Sequence, residues 1–255
     1  MHQFRVSTII NRMATGALAL VLLSGITPAA AAEFNKAQTE EIGAIVHDYL
    51  VQHPEVMIEV MAELDAREQA AKKRSQNDAV AKHHKEIFED KVSFVAGNPK
   101  GDVTIVEFFD YNCGYCKRAF APLMNTLKDD GNIRLVLKEF PILGPSSVIA
   151  SHAAMAAQKQ GKYFEMHKAL FTHKGSLDED EIMSVAKSVG LDIARLRRDM
   201  ADPAFAKTID RNEELAQALN ITGTPSFVIG EAMHPGALDA DDFKRAIKDV
   251  RAGKG

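Results

Sequence analysis

The only two cysteines of this 255-residue chain, Cys113 and Cys116, stand three positions apart where an apolar strand gives way to a helix. The preceding run, Val103-Thr-Ile-Val-Glu-Phe-Phe109, is continuously apolar but for one charge, as in strands buried on both faces of a central sheet. It passes through Asp110-Tyr111-Asn112 into Cys113-Gly114-Tyr115-Cys116, and residues 117–129 have a helical pattern. Gly131-Asn132 ends that helix, and residues 133–139 predict another strand. Strand, Cys-x-x-Cys, helix and strand in that order make a βαβ unit.

The position of the pair sets its chemistry. Cys113 falls at or just before a helix N-terminus, where unpaired N–H groups and the helix dipole favour an anion, so its thiol pKa should be lowered. Cys116 follows on the same face, within bridging distance. Closing so small a loop stabilises a chain by only about 2 kcal/mol, which suits exchange better than stapling. A structural disulfide and metal ligation are the competing readings. No His-x₃-His pair among the nine histidines would complete a metal site, so no metal and no cofactor beyond a redox-active Cys113–Cys116 disulfide is expected.

Composition narrows the classes further. An apolar share of 46% permits a real core, and two cysteines exclude a disulfide-stapled scaffold. With 31 Lys and Arg against 35 Asp and Glu, no global basic field favours nucleic acid. Residues 1–32 read as a cleavable export signal: Arg5 and Arg12, a short apolar run from Ala14 to Ile26, then Ala30-Ala31-Ala32. Export would put the cysteines in an oxidising compartment.

Between Lys36 and His53, residues Ile42, Ile45, Val46, Tyr49 and Leu50 make the stripe of an amphipathic helix, stopped by Pro54. A second stripe follows at Val56, Met57, Val60, Met61 and Leu64. Residues 65–90 then read as a charged helical stalk or linker, in which Val80 is the only large aliphatic residue before Glu86. That spacer has no stripe with which to join a core. The two apolar faces in 33–64 therefore either associate with other copies of the chain or fold back on the main domain.

In the main domain Glu107 is an ionisable group in an apolar strand, six residues before Cys113; burial would raise its pKa and make it a proton carrier for the thiols. Lys138, in the next strand, is a possible partner for it. Downstream, Thr224-Pro225 precedes a short strand; with the cysteine pair upstream a cis peptide is expected there, offering an unpaired backbone edge to an extended peptide. Four helical runs, 147–159, 162–173, 178–189 and 203–219, lie between, and a last helix begins after Asp239.

Cys113-Gly-Tyr-Cys116 after one apolar strand and Thr224-Pro225 before another resemble the thioredoxin fold. The helices between them resemble the insertion of the DsbA family, in which a glutamate also precedes the first cysteine by six positions. Tyr49-Leu50 and His53-Pro54-Glu55-Val56 resemble the N-terminal extension of the ScsC (suppressor of copper sensitivity) branch. The resemblance implies an α/β protein: a thioredoxin fold in 91–140 and 220–255, an inserted helical domain in 141–219, and an N-terminal helical oligomerisation segment. It implies catalysis by Cys113 and Cys116 with Glu107, and client binding by Thr224, Pro225, Gly114 and Tyr115. The Gly-Tyr dipeptide and the Thr before Pro225 match the isomerase DsbC, where DsbA oxidases carry Pro-His and Val. The expected protein is thus a periplasmic thiol–disulfide oxidoreductase, an isomerase or reductase assembled as a dimer or trimer. Its partners would be exported clients with cysteines and a membrane redox protein that resets the pair. A monomeric dithiol oxidase and a copper-binding or holdase protein are the alternatives.

Overall fold

The computed structural model describes residues 34–253, so the expected export signal at 1–32 lies outside the described residues. Two units are described separately, with the division at Met61. In the first, helix α1 (Lys36–Gln52) opens on a capping box: Asn35 accepts from the Gln38 N–H, and the Gln38 side chain accepts from that of Asn35. It ends before Pro54, as the sequence predicts. No residue of α1 is buried, and Ile42, Ile45, Val46 and Tyr49 are exposed. Helix α2 (Glu55–Lys82) starts with exposed Met57, Ile58, Val60 and Met61.

In the second unit, short α3 (His84–Phe88) precedes β1 (Phe94–Gly97), β2 (Val103–Phe109), α4 (Gly114–Asp130) and β3 (Ile133–Glu139). Then come α5 (Pro145–Gln158), α6 (Tyr163–Thr172), α7 (Glu179–Ser188), α8 (Ile193–Asp199) and α9 (Pro203–Ala218). Strands β4 (Ser226–Ile229) and β5 (Ala232–Pro235) and helix α10 (Ala240–Arg251) complete it. The sheet order is β1-β3-β2-β4-β5, with β2 parallel to β3 and antiparallel to β4. This is a thioredoxin fold of the DsbA type, with α5 to α9 inserted between β3 and β4.

Period-two alternation gives the sheet two different faces. Val103, Ile105 and Phe109 join Ile133, Leu135 and Leu137 under α4, α10 and the inserted helices. Val106, Phe108, Val136 and Phe140 face the other way, onto Leu215, Leu219 and Ile221. Gly131 ends α4 in the left-handed region at φ 70°, where a Cβ would be strained. At the base, Arg251 of α10 donates to both Asp102 and Asp130, joining the approach to β2 to the end of α4.

Two readings of the sequence need correction. The charged spacer does reach a core: Val80 and Ile87 are fully buried against Val106 and Phe108 on the second face. Two aliphatic residues suffice because the sheet supplies the rest of the apolar surface. Lys138 is not the partner of Glu107. In register, Glu107 lies beside Leu137 and Lys138 beside Phe108, so the two charges project from opposite faces. The Lys138 ammonium instead donates to Asp90 at 2.6 Å and to the Glu86 carbonyl of α3 at 2.8 Å.

Burial pushes the Lys138 ammonium pKa down. For Asp90 burial acts upward but is outweighed by the bond from Lys138, then by Ser93 and the Val92 N–H, which hold the carboxyl at about 2. A carboxyl held low contributes stability above its ordinary value that is lost as pH falls toward 2. Asp90→Ala leaves a buried ammonium unpaired and is expected to cost about 3 kcal/mol in urea unfolding at pH 7, whereas Asp90→Ala with Lys138→Met recovers most of that loss.

Candidate active site

Strand β2 delivers the chain to a loop that is tied down before the helix begins. The Asp110 carboxylate accepts from the Asn112 N–H at 2.7 Å, the Ser147 hydroxyl at 2.8 Å and the Leu143 N–H at 2.9 Å. Asn112 donates to Ser146 and Ser147 of α5 and accepts from the Leu177 N–H ahead of α7. The inserted helices thereby fix the loop on one side. Cys113 is the N-cap residue of α4, with no side-chain cap bond of its own, so its sulfur is free to meet the helix's N–H groups as a ligand would.

On the other side stands the loop before β4. The Thr224–Pro225 peptide is cis, as expected, and the Cys113 thiol donates to the Thr224 carbonyl across 3.2 Å. The Pro225 carbonyl accepts from the Gly236 N–H at 2.8 Å. The open backbone edge expected at Pro225 therefore narrows to Thr224.

Cys113 is 6% exposed and Cys116 fully buried, and both are free thiols. As a thiolate, Cys113 accepts chiefly from the Cys116 thiol; burial opposes, but the Thr224 side chain and the N–H groups of Cys116 and Tyr115 add to the stabilisation and hold its pKa down at about 5. Burial pushes Cys116 far up, and donation to Cys113 and the charge of Glu107 push it further. One sulfur is thus an anion at neutral pH and the other keeps its proton. Glu107 is 2% exposed, with Oε2 unpartnered among the described residues. Burial, then repulsion from Cys113, raises its pKa to about 8. A carboxylic acid that holds a proton at neutral pH beside two thiols can give and take that proton.

Gly114 leaves open space beside the sulfur, and Tyr115 is exposed with the Arg118 guanidinium 4.3 Å above its ring. The structure thus brings Cys113, Cys116, Glu107, Thr224, Pro225, Gly114 and Tyr115 to one end of the sheet. Among the described residues, no group of three or more His, Cys, Asp or Glu side chains is placed to hold a metal ion. A cavity of about 580 Å³ lies elsewhere, beside Lys138, Asp90 and Arg211. Reading the sequence missed the tethers Asp110 and Asn112. It also missed Lys117, whose ammonium donates to the carbonyls of His173 and Gly175 in the loop that follows α6. Polar residues packed between a buried strand and the cysteines were the available signal.

Comparison with known proteins matches this geometry. The DSBA-like thioredoxin domain family matches residues 104–248, and the N-terminal domain of the copper resistance protein ScsC matches 38–71. A thioredoxin-like oxidoreductase from Silicibacter pomeroyi is 44% identical, with a TM-score of 0.65, over 66% of this chain and 97% of its own. A linker-deleted variant of ScsC from Proteus mirabilis is 30% identical, with a TM-score of 0.67, over 88% of this chain and 100% of its own. A Na(+)/H(+) antiporter NhaA of Salinispora arenicola is 32% identical over 62% of this chain. The chain spans about a quarter of the length of the curated relatives it matches. Among the described residues no helix is long and apolar enough to cross a membrane.

The buried acid makes a prediction about stability. The fold keeps a proton on Glu107 that the unfolded chain gives up above its ordinary value of 4.5, so reduced protein loses stability as pH rises from 4.5 to 8. Glu107→Gln removes that loss. Its advantage over the parent in urea unfolding should be small at pH 4.5 and grow toward pH 8 by up to ~1.4 kcal/mol per pH unit.

Proposed function

This chain belongs to the DsbA-like thioredoxin family of thiol–disulfide oxidoreductases, and we propose that it is an oligomeric disulfide isomerase or reductase of the periplasm. The observation that carries the redox reading is the Cys113 sulfur, placed at the start of α4 beside the Cys116 thiol with its pKa at about 5. The Cys113 thiolate attacks one sulfur of a client disulfide, forming a mixed disulfide and expelling the other client sulfur as a thiolate. That step removes the charge on Cys113, and with it the lesser of the two effects, after burial, that raise Glu107. Glu107 gives its own proton to the expelled client thiolate and, now a carboxylate, accepts the Cys116 proton. Cys116 attacks the Cys113 sulfur, the mixed disulfide breaks, and the client leaves reduced as Cys113–Cys116 closes. Where the client's own thiolate attacks the mixed disulfide first, the client is rearranged and the pair stays reduced.

Thr224, Pro225, Gly114 and Tyr115 surround the sulfur and would hold the client backbone. No cofactor beyond the cysteine pair is needed. The clients are exported proteins with cysteines, and a membrane redox partner resets the pair. The assembly reading rests on the exposed face of Ile42, Ile45, Val46 and Tyr49 with Met57 and Met61, and on the match of residues 38–71 to the ScsC N-terminal domain. Apolar surface of that kind is buried by association between copies.

Two measurements test the proposal. Ile45→Glu with Met61→Glu should lower the sedimentation mass and cut refolding of a scrambled-disulfide substrate several-fold, while dithiol oxidation persists. Full isomerase activity in a dissociated variant would remove the oligomer from the mechanism and favour a monomeric dithiol oxidase. Glu107→Gln should slow release of the mixed disulfide by about 100-fold, leaving the alkylation rate of Cys113 nearly unchanged.

A further inference from the structure

A second buried acid lies on the cysteine side of the sheet, and the exchange chemistry makes no use of it. Glu139 ends β3 in register with Phe109 and is 3% exposed. Its Oε1 accepts from the Tyr163 hydroxyl of α6 at 2.6 Å and from the Tyr111 hydroxyl of the cysteine loop at 3.2 Å. Its Oε2 accepts from the Ser151 hydroxyl of α5 at 2.7 Å. Its backbone carbonyl accepts from the Asn212 amide of α9 at 3.0 Å. One residue thus joins the central sheet, three inserted helices and the segment two residues before Cys113.

The direction of the hydrogen bonds follows from counting protons. Tyr111 has one hydroxyl hydrogen, and Glu139 as a carboxylate can only accept. The Tyr111 proton therefore goes to Glu139. His167, whose Nδ1 lies 3.0 Å from the Tyr111 oxygen, must donate in turn. Its Nε2 is left as an unpartnered acceptor, with the rings of Phe109, Phe120 and Phe171 packed around the imidazole. Burial holds His167 neutral, with a pKa pushed down to about 3, so no cation balances Glu139. Burial raises Glu139 itself to about 7, opposed by the hydroxyls of Tyr163, Ser151 and Tyr111. An apolar residue at this place would spare the fold a desolvated carboxylate.

We infer that Glu139 is a positioning residue for the exchange reaction, acting through Tyr111 to hold the 110–113 loop so that the Cys113 sulfur stays at the start of α4 and against Thr224. The inference rests on the reading of Cys113 as the attacking sulfur. The loop's remaining tethers, through Asp110 and Asn112, run to the backbone of Leu143 and Leu177 and to the serines that open α5. Tyr111 is the tether that reaches the sheet itself. Without it the sulfur loses the fixed distance to the N–H groups and to Thr224 that favours its charge.

The test uses the full chain in its reduced state, with Tyr111→Phe, Glu139→Gln and the double variant. Tyr111→Phe deletes one oxygen and keeps the ring that packs edge-on against Phe109. The readouts are the pH titration of the Cys113 thiolate by its ultraviolet absorbance and the equilibrium of the pair with glutathione. Each single variant should raise the titration midpoint by about half a unit, roughly a threefold lower ratio of thiolate to thiol. The double variant should shift no further than the larger single, because Tyr111→Phe removes and Glu139→Gln weakens the same link. Asp90→Ala, which weakens the fold from the opposite face, should leave the midpoint in place. An unmoved midpoint in folded Tyr111→Phe would overturn the inference, and this variant decides alone should Glu139→Gln not fold. A lowered midpoint in Glu139→Gln with none in Tyr111→Phe would overturn it too, since Glu139 would then act by its charge. A parent midpoint near that of free cysteine would overturn the proposed function beneath it.

Discussion

A single negative charge organises the upper end of this sheet. The Cys113 thiolate is favoured by the thiol of Cys116, by Thr224 and by the N–H groups of Tyr115 and Cys116, and every neighbour responds to it. Cys116 keeps its proton and Glu107 becomes a weaker acid. The elements that arrange these groups are far apart in sequence: β2 ends at Phe109, α4 begins at Gly114, and the Thr224 carbonyl arrives by way of the whole helical insertion. The fold's contribution is to bring a helix start and the Thr224 side chain to one sulfur and hold them there.

The sheet works because its faces are chemically different. Odd-numbered residues of β2 and β3 look toward the cysteines, and the acids Glu107 and Glu139 are among them. Even-numbered residues look toward the end of α2 and α3, and Lys138 is among those. A one-residue slip would exchange the faces, setting Lys138 beside the thiols and both acids beneath the linker. The basic residue and the acids thus never meet: Lys138 is satisfied by Asp90 and a helix carbonyl on one side, and Glu139 by hydroxyls on the other.

Much of this was legible in the residues alone. The cysteine spacing after an apolar run, the glutamate six positions earlier, the Thr-Pro pair and four of the five inserted helices are local signals, and they mark where the chemistry lies; the short α8 (Ile193–Asp199) was not among them. Reading failed where the information is not local. Lys138 sits in the strand next to Glu107, and only the register separates them. Asp110 and Asn112 look like ordinary loop residues until α5 and the loop before α7 close on them. Strand β5, Ala-Met-His-Pro, lacks the β-branched residues that announce a strand and is recruited by pairing with β4. Val80 and Ile87 are too sparse to make a stripe and are buried because a sheet face is waiting for them.

The clamp at the base bears on how such a chain matures. Arg251 belongs to the last helix, while the aspartates it grips flank β2 and α4, more than a hundred positions earlier. A nascent chain can pair β2 with β3 long before that guanidinium exists, so the foundation of the sheet is fastened late. Pairing of the sheet and fastening of its base are therefore separate events in the order of synthesis, the first set by β2 and β3 and the second by α10.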